Sequence, residues 1–192
     1  MSVRNLDALV RPHSVALVGA SERAGSLGRL LLENLLAGGL AGDVYPVNPR
    51  YSSLLDMRCY ADVAALPAAP DLAVIATPAE SVPDTVAALG ARGTRAAVVI
   101  SAGFNGAENA ALRARLLAAA RPHLLRINGP NCLGVIAPGV GLNASFAHLQ
   151  PSAGGIAFVA QSGAMITSIL DWAAPRGIGF SLLASLGDMA DV

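Results

Sequence analysis

An α/β protein built on a doubly wound parallel sheet is the fold this sequence predicts, and three observations predict it. Short β-branched runs alternate with alanine- and leucine-rich stretches, the pattern of successive βαβ units. Each β-branched run stops at Gly, Pro, Asn or Ser before the next helix begins. The chain of 192 residues is 54% hydrophobic and 14% charged. Soluble domains average about 25% charged residues, so the interior is large for the length.

The first strand is Ser14-Val15-Ala16-Leu17-Val18, closed by Gly19. A loop of small residues leads into a helix over 26–37, with Leu30, Leu31 and Leu35 on its apolar side and Gly38-Gly39 as its stop. A second strand over 44–47 ends at Asn48-Pro49, and a third over 72–76 ends at Thr77-Pro78. Pro83 then suits the first turn of a helix. The fourth strand, 96–100, ends at Ser101-Ala102-Gly103. A helix over 108–120 leads to a fifth strand, 124–127, and to Gly129-Pro130-Asn131-Cys132. Five such steps make one doubly wound domain, residues 1–137. Residues 138–154, rich in Pro, Gly, Ser and Asn, read as a linker with a short extended piece. The pattern then restarts over 155–192: a strand at 156–159, a turn at Gln161-Ser162-Gly163, a helix to about 176 and a strand at 180–185. A single βαβ unit cannot bury both faces of its sheet, so this part is expected to be the truncated opening of a second domain in a longer polypeptide.

Composition excludes several functions. The net charge is zero, which leaves no basic excess for nucleic acid. All 13 basic residues are arginine, so neither a Gly-Lys-Ser/Thr phosphate loop nor a lysine Schiff base can form. No apolar run reaches the ~18 residues of a membrane span, and residues 1–11 lack a signal-peptide core. Cys59 and Cys132 have no metal-ligand spacing and do not cluster with His13, His123 or His148. They read as two reduced thiols of a cytoplasmic protein rather than as a disulfide. No metal site, Ser-His-Asp order or carboxylate pair is present in the pattern, so no catalytic residue is assigned. Cys132 in particular has no neighbouring histidine to activate it.

The chemistry that remains lies at strand ends. The first turn, Gly19-Ala20-Ser21-Glu22-Arg23-Ala24-Gly25-Ser26-Leu27-Gly28, feeds a helix N-terminus, whose free amides and dipole attract phosphate. It departs from Gly-x-Gly-x-x-Gly by its length and by Ser21, which places the cradle at residues 24–28; an ordinary tight turn meets the same spacing. Beyond the second strand stands Asn48-Pro49-Arg50, where an NAD site would carry a carboxylate. Arg50 instead suits a ribose phosphate, the 2′-phosphate of NADP or the 3′-phosphate of coenzyme A, or else lies free in solvent. Thr77, Pro78, Ser101, Ala102, Gly103 and Asn131 fall along the same crevice and leave room for a base or a long arm. Ser162 and Gly163 repeat the strand–turn–helix geometry, equally as an anion site or as a plain N-cap. Trp172, beside Ile166, Ile169 and Leu170, is expected in the core. His123, just after a helix, is expected at the surface.

Taken in order, these motifs form a familiar set. Ser14-Val-Ala-Leu-Val-Gly-Ala-Ser21, Val44-Tyr-Pro-Val-Asn-Pro-Arg50, Asp71-Leu-Ala-Val-Ile-Ala76, Ser101-Ala-Gly-Phe104, Gly129-Pro-Asn-Cys-Leu-Gly134, Gly141-Leu-Asn-Ala-Ser-Phe146 and Gln161-Ser-Gly163 resemble the N-terminal region of the NDP-forming acyl-CoA synthetases, relatives of the succinyl-CoA synthetase alpha subunit. The resemblance implies a Rossmann-like CoA-binding domain followed by the start of a flavodoxin-like ligase domain. It implies CoA or an acyl-CoA as ligand, with its diphosphate at residues 24–27. Arg50 would lie near the 3′-phosphate, Thr77-Pro78 near the adenine, Ser101 to Gly103 along the pantetheine and Asn131 near the thiol. Ser162-Gly163 would stabilise a phosphohistidine supplied from elsewhere. The ADP-forming reaction would then need the rest of the ligase domain and an ATP-grasp domain or subunit. A second group is similar too: protein lysine acetyltransferases that carry a silent, acyl-CoA-sensing synthetase-like region. Leu6-Asp-Ala-Leu-Val-Arg-Pro12, Ile169-Leu-Asp-Trp-Ala173 and Leu186-Gly-Asp188 resemble it, Asp188 standing where many synthetases carry Asn. An NADP-dependent oxidoreductase domain is the third expectation.

Overall fold

The computed structural model describes residues 3–191. Met1, Ser2 and Val192, which the expected domain limits include, lie outside the described residues. In chain order the elements are α1 (Leu6–Val10), β1 (Ser14–Val18), α2 (Leu27–Gly38), β2 (Asp43–Val47), β3 (Ser53–Leu54), β4 (Met57–Arg58), β5 (Leu72–Ile75), α3 (Val82–Arg92), β6 (Ala96–Val99), α4 (Ala110–Ala120), β7 (Arg126–Asn128), β8 (Gly134–Ala137), β9 (Leu142–Ser145), β10 (Ala153–Ala160), α5 (Gly163–Ala173) and β11 (Phe180–Ser185). The short α1 carries no pattern that the sequence made legible.

Five strands form an all-parallel sheet in the order β2-β1-β5-β6-β7. Next to β2 the chain adds one residue of a further parallel strand, Tyr60 bridged to Val47. The Tyr60 amide donates to Pro46 and its carbonyl accepts from Asn48, both at 2.9 Å. Counting that residue, the order is 3-2-1-4-5-6, the dinucleotide-type sheet, with its third strand worn down to a bridge. The order therefore reverses between β1 and β5.

Helices cover both faces, which is why the strands read as unbroken apolar runs. Val15, Leu17, Val74 and Val98 face α1 and α2, whose Ala8, Leu9, Leu31, Leu32 and Leu35 are buried against them. Ala16, Val18, Ile75, Ala97 and Val99 face α3 and α4 through Val86, Leu89 and Leu116. The helix expected over 26–37 is α2, with Gly39 in the left-handed region at its end (φ 79°). The fifth strand begins later than expected, because Leu124 is a half-exposed residue at φ 53° that closes the turn after α4. His123 lies in that turn, exposed, with its ring against Gly90.

A second, four-stranded sheet runs β10-β11-β8-β9, with β10 and β11 parallel and β8 antiparallel to both β11 and β9. The extended piece expected within residues 138–154 is β9, every residue of which is buried. Its Ser145 Oγ donates to Asn143 Oδ1 (2.6 Å) and accepts the Ala147 amide (3.1 Å), while Asn143 Nδ2 is buried without a partner, so a polar composition conceals an interior strand. Asn34 of α2 donates to the carbonyls of Ser145 and Ala147, both at 2.8 Å, and ties this sheet to the first. α5 packs Ile166, Leu170 and Ala173 onto the sheet. Trp172 corrects one expectation: it is 50% exposed, because its position on α5 points away from the sheet. The Arg176 guanidinium covers its ring at 4.7 Å, so the indole is shielded by a cation rather than by core.

Candidate functional site

Ligands of doubly wound sheets sit beyond the carboxyl ends of the strands, where the order reverses. A cavity of about 450 Å³ opens at that place. It is lined by Gly19 at the end of β1, Asn48 and Pro49 at the end of β2, Thr77 at the end of β5, Ser81 at the N-cap of α3 and Thr85 of α3, among others. Sequence patterning had marked Gly19, Asn48 and Thr77. It missed Asp62 and Ala64, because the strand that delivers them is the single bridge at Tyr60 and has no β-pattern to read, and Ser81, Thr85 and Ala88, which nothing in the sequence of α3 sets apart. A cavity of about 490 Å³ lies beside the start of β7, lined by Leu124, Arg126 and Asp191. That is the opposite rim, away from the strand ends where such sheets bind ligands.

The first turn is held from within. The Gly19 amide donates to Val47 (3.0 Å), at φ 98°, and an added Cβ there would lie 2.7 Å from the Ala76 carbonyl. Ala20 is buried, and its carbonyl accepts the Asn48 side-chain amide at 2.7 Å. Asn48 Oδ1 accepts the Arg50 amide at 2.9 Å. The Asn48 amide nitrogen thus clamps β2 to the turn, its oxygen holds the loop to Arg50, and the residue also lines the cavity. Ser21 Oγ accepts the Arg23 amide (3.1 Å), and Ser26 caps α2 by accepting from Arg29 (3.3 Å) while donating to the Arg23 carbonyl (2.7 Å). Ala24, Gly25 and Leu27 are exposed. Among the described residues the amides of Ala24 and Gly25, in the turn, and of Leu27 and Gly28, in the first turn of α2, donate to no backbone carbonyl. A Cβ on Gly28 would lie 2.1 Å from the Gly19 carbonyl oxygen, so only glycine lets α2 start so close to β1. The Arg50 guanidinium beside the cavity mouth is exposed and has no ion pair among the described residues.

Further along the crevice, Ser81 Oγ lies 3.0 Å from Thr77 Oγ1, and Ser101 Oγ donates to the Thr77 carbonyl. Pro78, Ala102 and Gly103 are exposed and offer shape rather than polar groups. The Asn131 amide donates to the Ser101 carbonyl at 3.0 Å, so the loops after β6 and β7 are joined. Cys132 is buried, and burial pushes its thiol up to about 12 in spite of the Asn128 side-chain amide at 3.4 Å. It cannot serve as a nucleophile in this state.

The second turn differs. Ser162 occupies the N-cap of α5 in extended geometry but makes no capping hydrogen bond. Gly163 approaches the Leu133 side chain, 2.9 Å from where its Cβ would stand. None of the three histidines sits there: His13 pairs with Asp71 at 3.5 Å, and His148 pairs with Asp171 (2.7 Å), more than two turns further along α5. Among the described residues, no group of three His, Cys, Asp or Glu could hold a metal ion.

A family model described as the CoA binding domain matches residues 13–138. The chain belongs to the CoA-binding domain family. The model of the succinyl-CoA ligase like flavodoxin domain matches residues 153–192 of the same chain. The CoA-binding chain is 41% identical over 187 residues to acetate–CoA ligase [ADP-forming] I of Archaeoglobus fulgidus, covering 96% of this chain and 27% of that protein. It is 34% identical to the acetate–CoA ligase [ADP-forming] I alpha subunit of Pyrococcus furiosus, covering 98% of this chain and 42% of that subunit. Among solved structures it matches the dinucleotide forming acetyl-coenzyme A synthetase 1 of Ca. Korarchaeum cryptofilum, in complex with phosphate and ADP. There the TM-score is 0.92 and the identity 35%, over 97% of this chain and 40% of that one. The chain thus spans well under half the length of these relatives. Coenzyme A fits what the CoA-binding chain presents: a cavity at the reversal point, open helix amides for a diphosphate, and an unpaired arginine beyond β2.

Proposed function

We propose that this chain is the coenzyme-binding part of an ADP-forming acyl-CoA synthetase, with CoA laid along the strand ends of the first sheet. The observation that carries the reading is the reversal-point cavity flanked by the uncovered N-terminus of α2. The adenosine takes the cavity beside Asn48, Thr77 and Pro78, with Arg50 at its 3′-phosphate. The diphosphate meets the amides of residues 24–28, framed by Gly19, Ala20, Ser21, Ser26 and Leu27. The pantetheine then crosses Ser101, Ala102 and Gly103 towards Asn131. In this reading residues 1–137 form the coenzyme unit, 138–154 connect it, and 155–192 open the ligase unit; the family-model limits at 138 and 153 support that division. Ser162 and Gly163 offer α5's uncapped amides to a phosphoryl group, whose carrier histidine belongs to another part of the full protein. There, acid, CoA and ATP become acyl-CoA, ADP and phosphate, with an ATP-grasp domain or subunit as partner. A cytoplasmic location belongs to the proposal, supported by the two free, buried thiols. No helix among the described residues is long and apolar enough to cross a membrane.

A second reading, an acyl-CoA sensor attached to an acetyltransferase domain, draws on Asp188. Calorimetric titration with CoA, acetyl-CoA and NADP tests both readings. Saturable binding of CoA without NADP is expected. NADP binding alone would overturn the proposal, and acetyl-CoA tighter than CoA would favour the sensor.

A further inference from the structure

We propose that Asp188 is a positioning residue that makes the thiol end of the coenzyme groove a hydrogen-bond acceptor, and so selects free CoA over its acyl thioesters. The inference rests on the groove binding CoA as proposed above. Adjacent strands lie about 4.8 Å apart, so the ends of β1, β5, β6 and β7 span about 14 Å. The nucleotide occupies the β2 side, where the cavity and Arg50 are. An arm leaving the α2 amides therefore runs the other way and finishes at the loop after β7, which presents Asn131.

That loop is gripped by the segment after β11. The Asp188 amide donates to Pro130 and the Ala190 amide to Gly129, both at 2.9 Å. A Cβ at Gly187 would stand 2.2 Å from the Pro130 carbonyl oxygen, so the two segments are in close backbone contact. Arg113 donates to the carbonyls of Asp188 and Met189. From this position Asp188 Oδ1 accepts from Asn105 Nδ2 (2.8 Å) and from Asn131 Nδ2 (3.2 Å). Its Oδ2 is buried with no hydrogen-bond partner.

A carboxylate can only accept, so both amides must turn their NH2 groups towards it. Flipping either amide would set oxygen against carboxylate and strip a donor from a group already short of one. Each Oδ1 is consequently turned away from Asp188, and neither accepts a hydrogen bond among the described residues. A free thiol brings an S–H donor to such an end. A thioester has lost that hydrogen and brings a carbonyl, a second acceptor.

The purified chain titrated calorimetrically with CoA and with acetyl-CoA should bind CoA about two- to tenfold more tightly, the worth of one neutral hydrogen bond. In Asp188→Asn the new amide can donate as well as accept, so Asn131 is free to turn and the ratio should fall to about one. Asn131→Gly removes the acceptor, suits the left-handed backbone there (φ 55°), and should give the same ratio should the first variant not fold. Equal affinities in the parent chain overturn the proposal. So does an unchanged ratio in the variants with both ligands weakened alike, the mark of a purely structural role. Binding of neither ligand by the parent chain overturns the coenzyme reading itself.

Discussion

The strand–turn–helix junctions that open α2 and α5 each carry a serine at the helix N-cap in extended geometry, and they are finished differently. At the first, between β1 and α2, Ser26 accepts from Arg29 and donates to Arg23, Asn48 clamps the turn to β2, and Gly28 touches the Gly19 carbonyl. At the second, between β10 and α5, Ser162 caps nothing, and a Cβ on Gly163 would meet the Leu133 Cβ at 2.9 Å, with the nearest Leu133 backbone atom at 3.6 Å. The first turn is tied down by its own side chains and by β2. The second lacks these ties. Both leave amides open at the helix start, so similar sequences at two helix starts differ in how firmly the turn around those amides is held.

The glycines should separate the turns most widely. Gly28→Ala drives a Cβ to 2.1 Å from a backbone oxygen and should lower unfolding free energy by about 3 kcal/mol, abolishing CoA binding; Gly163→Ala, opposed at 2.9 Å by the Leu133 Cβ, should lose about 1 kcal/mol. Denaturant unfolding of both variants checks this, and equal losses would erase the contrast. Next, Arg50→Ala should weaken CoA by about 1.5 kcal/mol and leave 3′-dephospho-CoA nearly untouched, since the guanidinium is exposed. Equal loss for the two ligands, by calorimetry, would take Arg50 away from the 3′-phosphate. Third, Ser26→Ala should cost about 1 kcal/mol of stability as a lost cap. Ser162→Ala should leave the thermal midpoint unchanged, and a matching loss there would mean that Ser162 caps in solution.

The smallest effect at neutral pH concerns Cys132, which lies between the two turns. Its folded-state pKa of about 12 exceeds the ordinary thiol value of 9.0. Its contribution to stability is therefore fully present below pH 9 and lost as the pH rises through 9 towards 12. Iodoacetamide at pH 8 should leave Cys132 unmodified in the folded chain, by peptide mass mapping. Rapid alkylation under native conditions would contradict its burial.

Most of the first sheet was legible because parallel strands buried on both faces must be apolar throughout, and each must end in a turn. Gly19, Asn48, Thr77 and Ser101 stood out on that logic. What they do was not legible. Asn48 lines the cavity as its place at a strand end suggests, but its hydrogen bonds to backbone 28 and two residues away have no signature in the sequence. Tyr60 could not be seen as a strand because one residue has no period. β8 and β9 were obscured by Pro138, Gly139 and Gly141, which form their turn, and by Asn143 and Ser145, polar residues buried inside the sheet. Trp172 misled because an aromatic at helical spacing suggests core, whereas a nearby arginine can cover a ring equally well.

The hairpin of β8 and β9 bears on how such chains can be recombined. Gly38 at the end of α2 meets the Gly141 carbonyl, and Asn34 reaches the backbone after β9, while β8 pairs with β11. The helix whose open N-terminus is proposed for the coenzyme is braced at its other end by the second sheet. A chimera that exchanged residues 153–192 alone would keep the old hairpin and pair it with a foreign β11. A cassette that keeps the second sheet together starts at β8, ahead of the 153–192 stretch matched by the flavodoxin-domain model, and it must also fit the end of α2.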